Sequence, residues 1–176
     1  MAINEKELLD LIEQATDEKV YEASDTLGAI GSDDTQHELI KLLKHENPEV
    51  IFLASRTLGL MEENEAALEP LFAEINDNNN EAIAGDLMMA LEGFDVSEQF
   101  VPIFKLYLFG SFKVSKIAKE LLDYEEFDIT QRVLKKANKH WNHYKNNIKH
   151  DDAFKLVEQE VMEMFGDLED FLNDSN

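Results

Sequence analysis

Apolar residues recur along this chain at the spacing of three or four that an amphipathic helix requires, from Leu8 near the start to Leu172 near the end. Turn and cap residues such as Asn47-Pro48 separate the periodic stretches. The pattern predicts an all-α protein of ten helices. Those with the clearest limits are expected at about 5–14, 17–30, 129–146 and 152–172.

The apolar pattern also repeats with a period slightly above thirty residues. Leu27-Gly28 and Leu58-Gly59 are 31 residues apart, and Leu39, Leu71 and Ile103 follow one another at 32. A fixed period in this range is typical of solenoids, in which helix pairs stack to bury their apolar faces. We therefore predict a right-handed α-solenoid of about five helical hairpins. It forms a single domain over 1–176, with repeats in 1–124 and a divergent helical pair in 125–176 as an irregular C-terminal cap.

The sequence predicts specific structural roles for several small residues in these repeats. Ala54 is placed where two helices meet and must approach closely. Gly28 and Gly59 follow the repeated leucines and are expected to relax the turns there. Gly31 is expected to end the second helix in the left-handed conformation, and Ser97 to cap the seventh helix.

The repeats resemble HEAT repeats, and specifically the short HEAT-like type of phycobilin lyase relatives. The resemblance rests on Asn47-Pro48-Glu49-Val50, Ala54 and Leu58-Gly59, with Ala23 and Leu27-Gly28 as a second copy. It covers about 5–124 and weakens after residue 80. It implies an α-solenoid whose second helices line a concave surface. It implies no activity, because this architecture serves scaffolds, inhibitors and a few enzymes.

The chain is strongly acidic, with a net charge of −22, and the charge is unevenly spread. Residues 1–128 hold 29 acidic and 9 basic side chains, whereas 129–150 hold 6 basic and no acidic ones. Such a field repels nucleic acid and anionic membranes and attracts basic proteins. The alternative is that the acidity only keeps the protein in solution.

Composition limits the chemistry and the location. The chain has no cysteine, which excludes disulfides, thiolate metal sites and thiol catalysis. The first residues show neither the basic nor the apolar region of a signal peptide, and no apolar run approaches the roughly 18 residues of a membrane span. We therefore expect a cytoplasmic protein with no membrane partner.

Histidines provide the only candidates for a metal site. His37-Glu38 and His45-Glu46 resemble the His-Glu dyads with which deoxyhypusine hydroxylase, a HEAT-type enzyme, binds two irons. The two dyads are eight residues apart on one helix and its exit, so they cannot face each other. His140 and His143 share a helix face, but no nearby carboxylate completes a site. We expect no metal, no cofactor and no catalytic residues.

A basic stretch from Arg132 to Lys149, with Trp141 and Tyr144 between its lysines, is the candidate for nucleic-acid binding. HEAT-like alkylpurine DNA glycosylases bind duplex DNA in this general style, but they need a broad basic concave face. The second helices here are acidic instead. We expect the stretch to match the acidic helices of the same chain or to contact a partner, and nucleic-acid binding is the weaker alternative.

Outward positions of the second helices supply the candidate binding site. Tyr21, Phe52 and Arg56 are of types enriched at binding hot spots, with Gly85 in register with the first two. The alternative is that they pack against an adjacent repeat. The predicted partner-binding residues are Glu18, Tyr21, Glu22, Asp25, Glu49, Phe52, Arg56, Asp86 and Met89.

These observations lead to one hypothesis and its rival. The chain is expected to be a non-enzymatic, protein-binding HEAT-like scaffold with an acidic concave face. In a sharper form it is an inhibitor or immunity-type protein that neutralises a basic partner such as a nuclease toxin. The rival is a HEAT-type enzyme or a lyase-like protein that handles a chromophore. An enzyme should show a pocket with convergent polar groups, and a binder an open charged face.

Overall fold

The computed structural model describes residues 4–16 and 18–174, and every regular element in this part of the chain is helical. The predicted all-α class is confirmed. The expected start of the second helix at Asp17 lies outside the described residues. The helices are α1 Glu5–Gln14, α2 Val20–Ile30, α3 Asp33–Leu42, α4 Pro48–Leu60, α5 Glu65–Ile75, α6 Ala84–Met89, α7 Phe100–Phe109, α8 Phe112–Tyr124, α9 Gln131–Asn147 and α10 Asp152–Asp174. Short 3₁₀ segments span Asn78–Asn80 and Ala90–Gly93.

The chain divides into two compact units, residues 1–95 and 96–176, called unit 1 and unit 2 below. Unit 1 contains α1 to α6, and unit 2 contains α7 to α10. The expectation of one single domain over 1–176 stays a prediction.

Unit 1 is a stack of helix pairs in two layers. The pairs are α1–α2, α3–α4 and α5–α6. First helices contact first helices, and second helices contact second helices, so that α4 lies between α2 and α6. Leu27, Leu58 and Leu87 on the second helices are completely buried, as are Leu39 and Leu71 on the first. This is the repeating arrangement of a helical solenoid, as the period predicted; its right-handedness stays a prediction.

Local signals account for several helix starts but not for every cap. The Asn47 side chain accepts a hydrogen bond from the backbone N–H of Glu49 at 3.0 Å, with Pro48 at the first position of α4. Gly31 has φ −58° and ψ 135°, so the expected left-handed ending is wrong. The expected cap at Ser97 is also wrong, since α7 begins at Phe100 with Gln99 before it.

Glycines of the second helices make room for the neighbouring helix. Both Gly28 and Gly59 lie inside helices, so the expectation that they relax turns is wrong. A Cβ atom on Gly28 would lie 2.4 Å from Cβ of Leu60 on α4, and one on Gly59 would lie 2.7 Å from the carbonyl oxygen of Ala90. The repeated Leu-Gly pair therefore fills the core with its leucine and permits close helix packing with its glycine.

Unit 2 is arranged around α7. This helix contacts α8 and α9, and α9 contacts α10. Aromatic side chains dominate its core: the ring centroids of Phe104 and Phe165 are 5.4 Å apart, and Trp141 stacks on Phe154 at 5.9 Å. Helices α9 and α10 form the pair expected in 125–176, while its role as a cap stays a prediction.

Ala54 offers a test of the packing in unit 1. It is completely buried in α4, which contacts α2, α3 and α6. We expect Ala54→Leu to overpack this site and to cost about 1–3 kcal/mol of unfolding free energy. Asp25→Asn changes an exposed side chain whose oxygen can still accept from Arg56, and it should cost less than about 1 kcal/mol. Urea midpoints in the reverse order would show that the inward and outward faces are exchanged.

Candidate functional site

The second helices of unit 1 lie side by side and present a row of side chains, called the second-helix face below. On α2, Tyr21 is 47% exposed and Asp25 is also exposed. On α4, Phe52 and Arg56 are half-buried, and Met89 at the end of α6 is 54% exposed. The second-helix face comprises Tyr21, Asp25, Phe52, Arg56, Asp86 and Met89.

Arg56 joins α4 to α2 at the centre of this face. Its Nη2 donates to Oδ1 of Asp25 at 2.7 Å, and its Nη1 donates to Oγ of Ser24 at 2.6 Å. Its guanidinium carbon also lies 5.7 Å from the centre of the Tyr21 ring, within cation–π range. The expectation that such residues pack against an adjacent repeat therefore holds for Arg56. The result is a fixed cluster of Tyr21, Asp25 and Arg56.

A buried pair of hydroxyl groups supports Arg56 from below. Ser24 and Thr57 are completely buried, and their Oγ atoms lie 2.9 Å apart. Thr57 Oγ1 also lies 2.7 Å from the carbonyl oxygen of Leu53. Each hydroxyl has one proton to donate. All groups are satisfied when Arg56 donates to Ser24, Ser24 donates to Thr57, and Thr57 donates to the carbonyl oxygen of Leu53. This network fixes the direction of the guanidinium group.

A groove of about 530 Å³ lies beside Arg56, between α4 and the end of α6. Phe52, Leu60 and Met89 supply apolar walls, and Asp86 and Glu92 add carboxylates. Gly59 and Gly93 line it without side chains. Four predicted site residues line this groove: Phe52, Arg56, Asp86 and Met89. Its size and mixed lining suit an anchoring side chain of a partner protein.

The remaining predicted residues are exposed but are not joined to the cluster. The carboxylates of Glu18, Glu22 and Glu49 make no ion pair with any described residue. Gly85, expected to face outward, is buried in α6. Sequence reasoning missed Ser24 and Thr57, although polar residues at buried positions of a second helix were a visible signal.

Sequence reasoning also missed a groove of about 660 Å³ in unit 2, between α10 and the segment around the end of α8. Its apolar residues come from both walls, and six carboxylates line it: Asp123, Glu125, Glu126, Glu160, Glu163 and Asp167. Burial, and then a hydrogen bond donated to Glu160, raise the pKa of the Tyr107 hydroxyl above its usual value. The sequence carries no separate signal for this groove, because Met164 and Leu168 belong to the same apolar stripe of α10 as the buried Val161 and Phe165.

The basic residues of α9 make no ion pair with any residue that the structure describes. Arg132, Lys135, Lys136 and Lys139 are exposed, and none pairs with a carboxylate in the described part of the chain. Helix α9 does contact the acidic helix α10, as expected, while the charge match itself stays a prediction. Trp141 is buried between Tyr144 and Phe154, so its ring faces are not open for base stacking.

Both His-Glu dyads engage in local contacts. The Nδ1 atom of His37 donates to the carbonyl oxygen of Asp33 at 2.7 Å, and Glu38 pairs with Lys41 at 2.6 Å. The Nδ1 atom of His45 accepts from the backbone N–H of Asn47 at 3.0 Å. In residues 4–16 and 18–174, no three or more His, Asp or Glu side chains form a group that could hold a metal ion.

The stacked helix pairs of unit 1, joined by close contacts at glycines, define a helical repeat protein. A family model described as HEAT repeats matches residues 5–92, which is half of the 176-residue chain. The chain belongs to the HEAT repeat family. HEAT repeats commonly mediate protein interactions and are generally non-enzymatic scaffolds. The likeness to the phycobilin lyase type stays a prediction.

Comparison with curated proteins gives no match, and comparison with solved structures gives none either. Across the described residues, none of the helices combines the length and the apolar character that crossing a membrane would require.

Proposed function

We propose that this HEAT repeat chain is a non-enzymatic scaffold that binds a basic partner protein through the second-helix face of unit 1. The observation that carries this proposal is the fixed cluster of Tyr21, Asp25 and Arg56 beside a groove lined by Phe52 and Met89. Aromatic and arginine side chains dominate binding hot spots. Because Arg56 is already held by two hydrogen bonds, little side-chain freedom is lost when a partner docks.

The charge around the cluster favours a basic partner. Glu18, Glu22 and Glu49 are exposed, and Asp86 and Glu92 line the groove. The positive charge of Arg56 is balanced by Asp25 at 2.7 Å. An approaching basic protein is therefore steered toward this face, whereas a phosphate backbone is repelled.

In its sharper form, the proposal is an inhibitor or immunity-type protein that neutralises a basic partner such as a nuclease toxin. A nuclease holds phosphate in a positive cleft, and a rigid acidic face can occupy that cleft in place of the substrate. The net charge of −22 supports this form, and the lack of cysteine suits the cytoplasmic location that we infer.

The rim carboxylates are expected to control how fast the partner associates. The partner is first captured on the full chain and identified by mass spectrometry, and then produced alone for surface plasmon resonance. Glu22→Lys combined with Glu49→Lys should slow association about tenfold and weaken its salt dependence, with little effect on dissociation. Asp25 is left unchanged because it holds Arg56. Phe52→Ala should instead speed dissociation, because a side chain that lines the groove is desolvated when a partner docks.

Glu7→Lys combined with Glu13→Lys provides the matched control, since both residues are exposed on α1, in the first-helix layer. An equal slowing by this control pair would mean that net charge alone matters and that the second-helix face does not. Tight binding of duplex DNA at about 0.15 M salt would also contradict the proposal.

A further inference from the structure

Helix α10 has one apolar stripe, and only part of it is covered by the core of unit 2. Phe154, Val161 and Phe165 in this stripe are buried. Met164 and Leu168, four residues apart, form its other edge; they are half-buried and line the unit 2 groove. This edge of the stripe is therefore open to the groove and can make a further contact.

The opposite wall of the groove is apolar as well. Leu122, Phe127 and Ile129, at the end of α8 and in the segment after it, are half-buried and line the same space. The part of α10 that lines the groove runs from Glu160 to Phe171, and at 1.5 Å per residue its length is about 16 Å. The groove is thus long enough for about three turns of a helix.

Carboxylates stand along both rims of this apolar floor. Glu125 and Glu126 lie on one side, and Glu163 and Asp167 lie on α10. Lys119 is the one cation among the residues that line the groove, and it is paired with Asp123. The groove therefore combines an apolar floor with a negative potential on both edges.

We propose that this groove binds a basic amphipathic helix of a partner protein. The apolar stripe of that helix lies on Met164 and Leu168, and its lysines and arginines reach the two acidic rims. The apolar floor selects hydrocarbon side chains, and the rims repel phosphate and acidic peptides. This docking site lies in unit 2 and does not depend on the function proposed for the second-helix face of unit 1.

A synthetic peptide tests the proposal on the full chain. The probe is a fluorescein-labelled helix of about 14 residues, with leucines at spacings of three and four and lysines on both flanks. The control peptide has the same composition in an order that spreads the leucines around the helix. In fluorescence anisotropy at about 0.15 M salt, the amphipathic peptide should bind at least about tenfold more tightly.

Matched variants locate the site. Glu163→Lys combined with Asp167→Lys should weaken peptide binding at least about tenfold. Glu158→Lys combined with Glu169→Lys makes the same charge change on exposed positions of α10 outside the groove, and should change affinity less than about threefold.

The apolar contribution has its own pair of variants. Leu168→Gln should weaken binding about fivefold or more, whereas Leu156→Gln, at a 66% exposed position outside the groove, should leave it unchanged. Circular dichroism confirms that each variant folds.

Equal binding of the two peptides would overturn the proposal, and so would an equal loss in the control charge pair. Sedimentation velocity tests whether the groove instead binds a second copy of the chain. A dimer that is lost in the Leu168→Gln variant would show this and would also overturn the proposal. Tyr21→Ala in unit 1 should not change peptide affinity, so the two proposed sites can fail separately.

Discussion

Gly93→Ala is expected to destabilise unit 1 by about 3 kcal/mol or more, a large loss for one methyl group. A Cβ atom at this position would lie 1.7 Å from the carbonyl oxygen of Gly59 and 2.6 Å from its carbonyl carbon. Both contacts are with backbone, so no side-chain rotation can relieve them. Helix α4 and the segment Ala90–Gly93 would have to separate, which opens a core that includes Leu58 and Leu91.

Gly166→Ala is the matched control, and it should change stability in the opposite direction. Gly166 lies inside α10, and an added Cβ would have nothing within 4 Å. Removing a helix-interior glycine there should stabilise by about 0.5–1 kcal/mol. Urea unfolding followed by far-UV circular dichroism measures both variants, and the fluorescence of Trp141, the single tryptophan, follows unit 2. A Gly93→Ala midpoint close to that of the parent would contradict the close approach of the two backbones.

The helices and their order could be predicted because their signals are local. Apolar spacing predicted the first helix at 5–14, and α1 has these bounds. Asn47-Pro48 predicted the start of α4, because a cap acts on the N–H groups next to it. The period near 31 predicted that equivalent helices would stack, since equivalent residues in successive repeats become neighbours.

Features that depend on distances between helices could not be predicted in the same way. Gly28 and Gly59 were expected at turns. A sequence does not show that Leu60 and Ala90 lie so close to them that a Cβ atom would have no room. The groove in unit 2 depends on segment 122–129 lying opposite α10, and most of this segment follows the repeats predicted in 1–124. No local signal marked the groove, because Met164 and Leu168 continue the apolar stripe with which α10 packs on its core.

The candidate site was predicted in its residues but not in its connections. Register in the repeats placed Phe52, Arg56 and Met89 on one face, and the structure shows them lining one groove. The register of the repeats did not predict that Arg56 reaches across to Ser24 and Asp25, because an arginine side chain can extend in many directions. The function of this face stays a proposal.

Asn64 also holds the contact between α4 and the segment Ala90–Gly93, and its replacement should cause the second large loss of stability. The residue is buried, and its Nδ2 donates to three backbone carbonyl oxygens, those of Leu58 at 3.0 Å, Met61 at 3.0 Å and Gly93 at 2.9 Å. These hydrogen bonds therefore connect the end of α4 to the segment Ala90–Gly93, which follows α6. The two protons of this Nδ2 group are shared among the three oxygens, so at about 1 kcal/mol for each lost bond Asn64→Ala should cost about 2 kcal/mol.

Asn76→Ala is the control for this substitution. The Nδ2 of Asn76 donates to the carbonyl oxygen of Phe72 at 2.7 Å, but the residue is exposed, so water can replace the lost bond. Its cost should stay below about 1 kcal/mol. Urea midpoints measure the difference, and equal losses in the two variants would show that the bonds of Asn64 are not protected from water. Since Gly93 lines the groove beside Arg56, Asn64→Ala should also loosen that wall and weaken partner binding at temperatures where unit 1 is still folded.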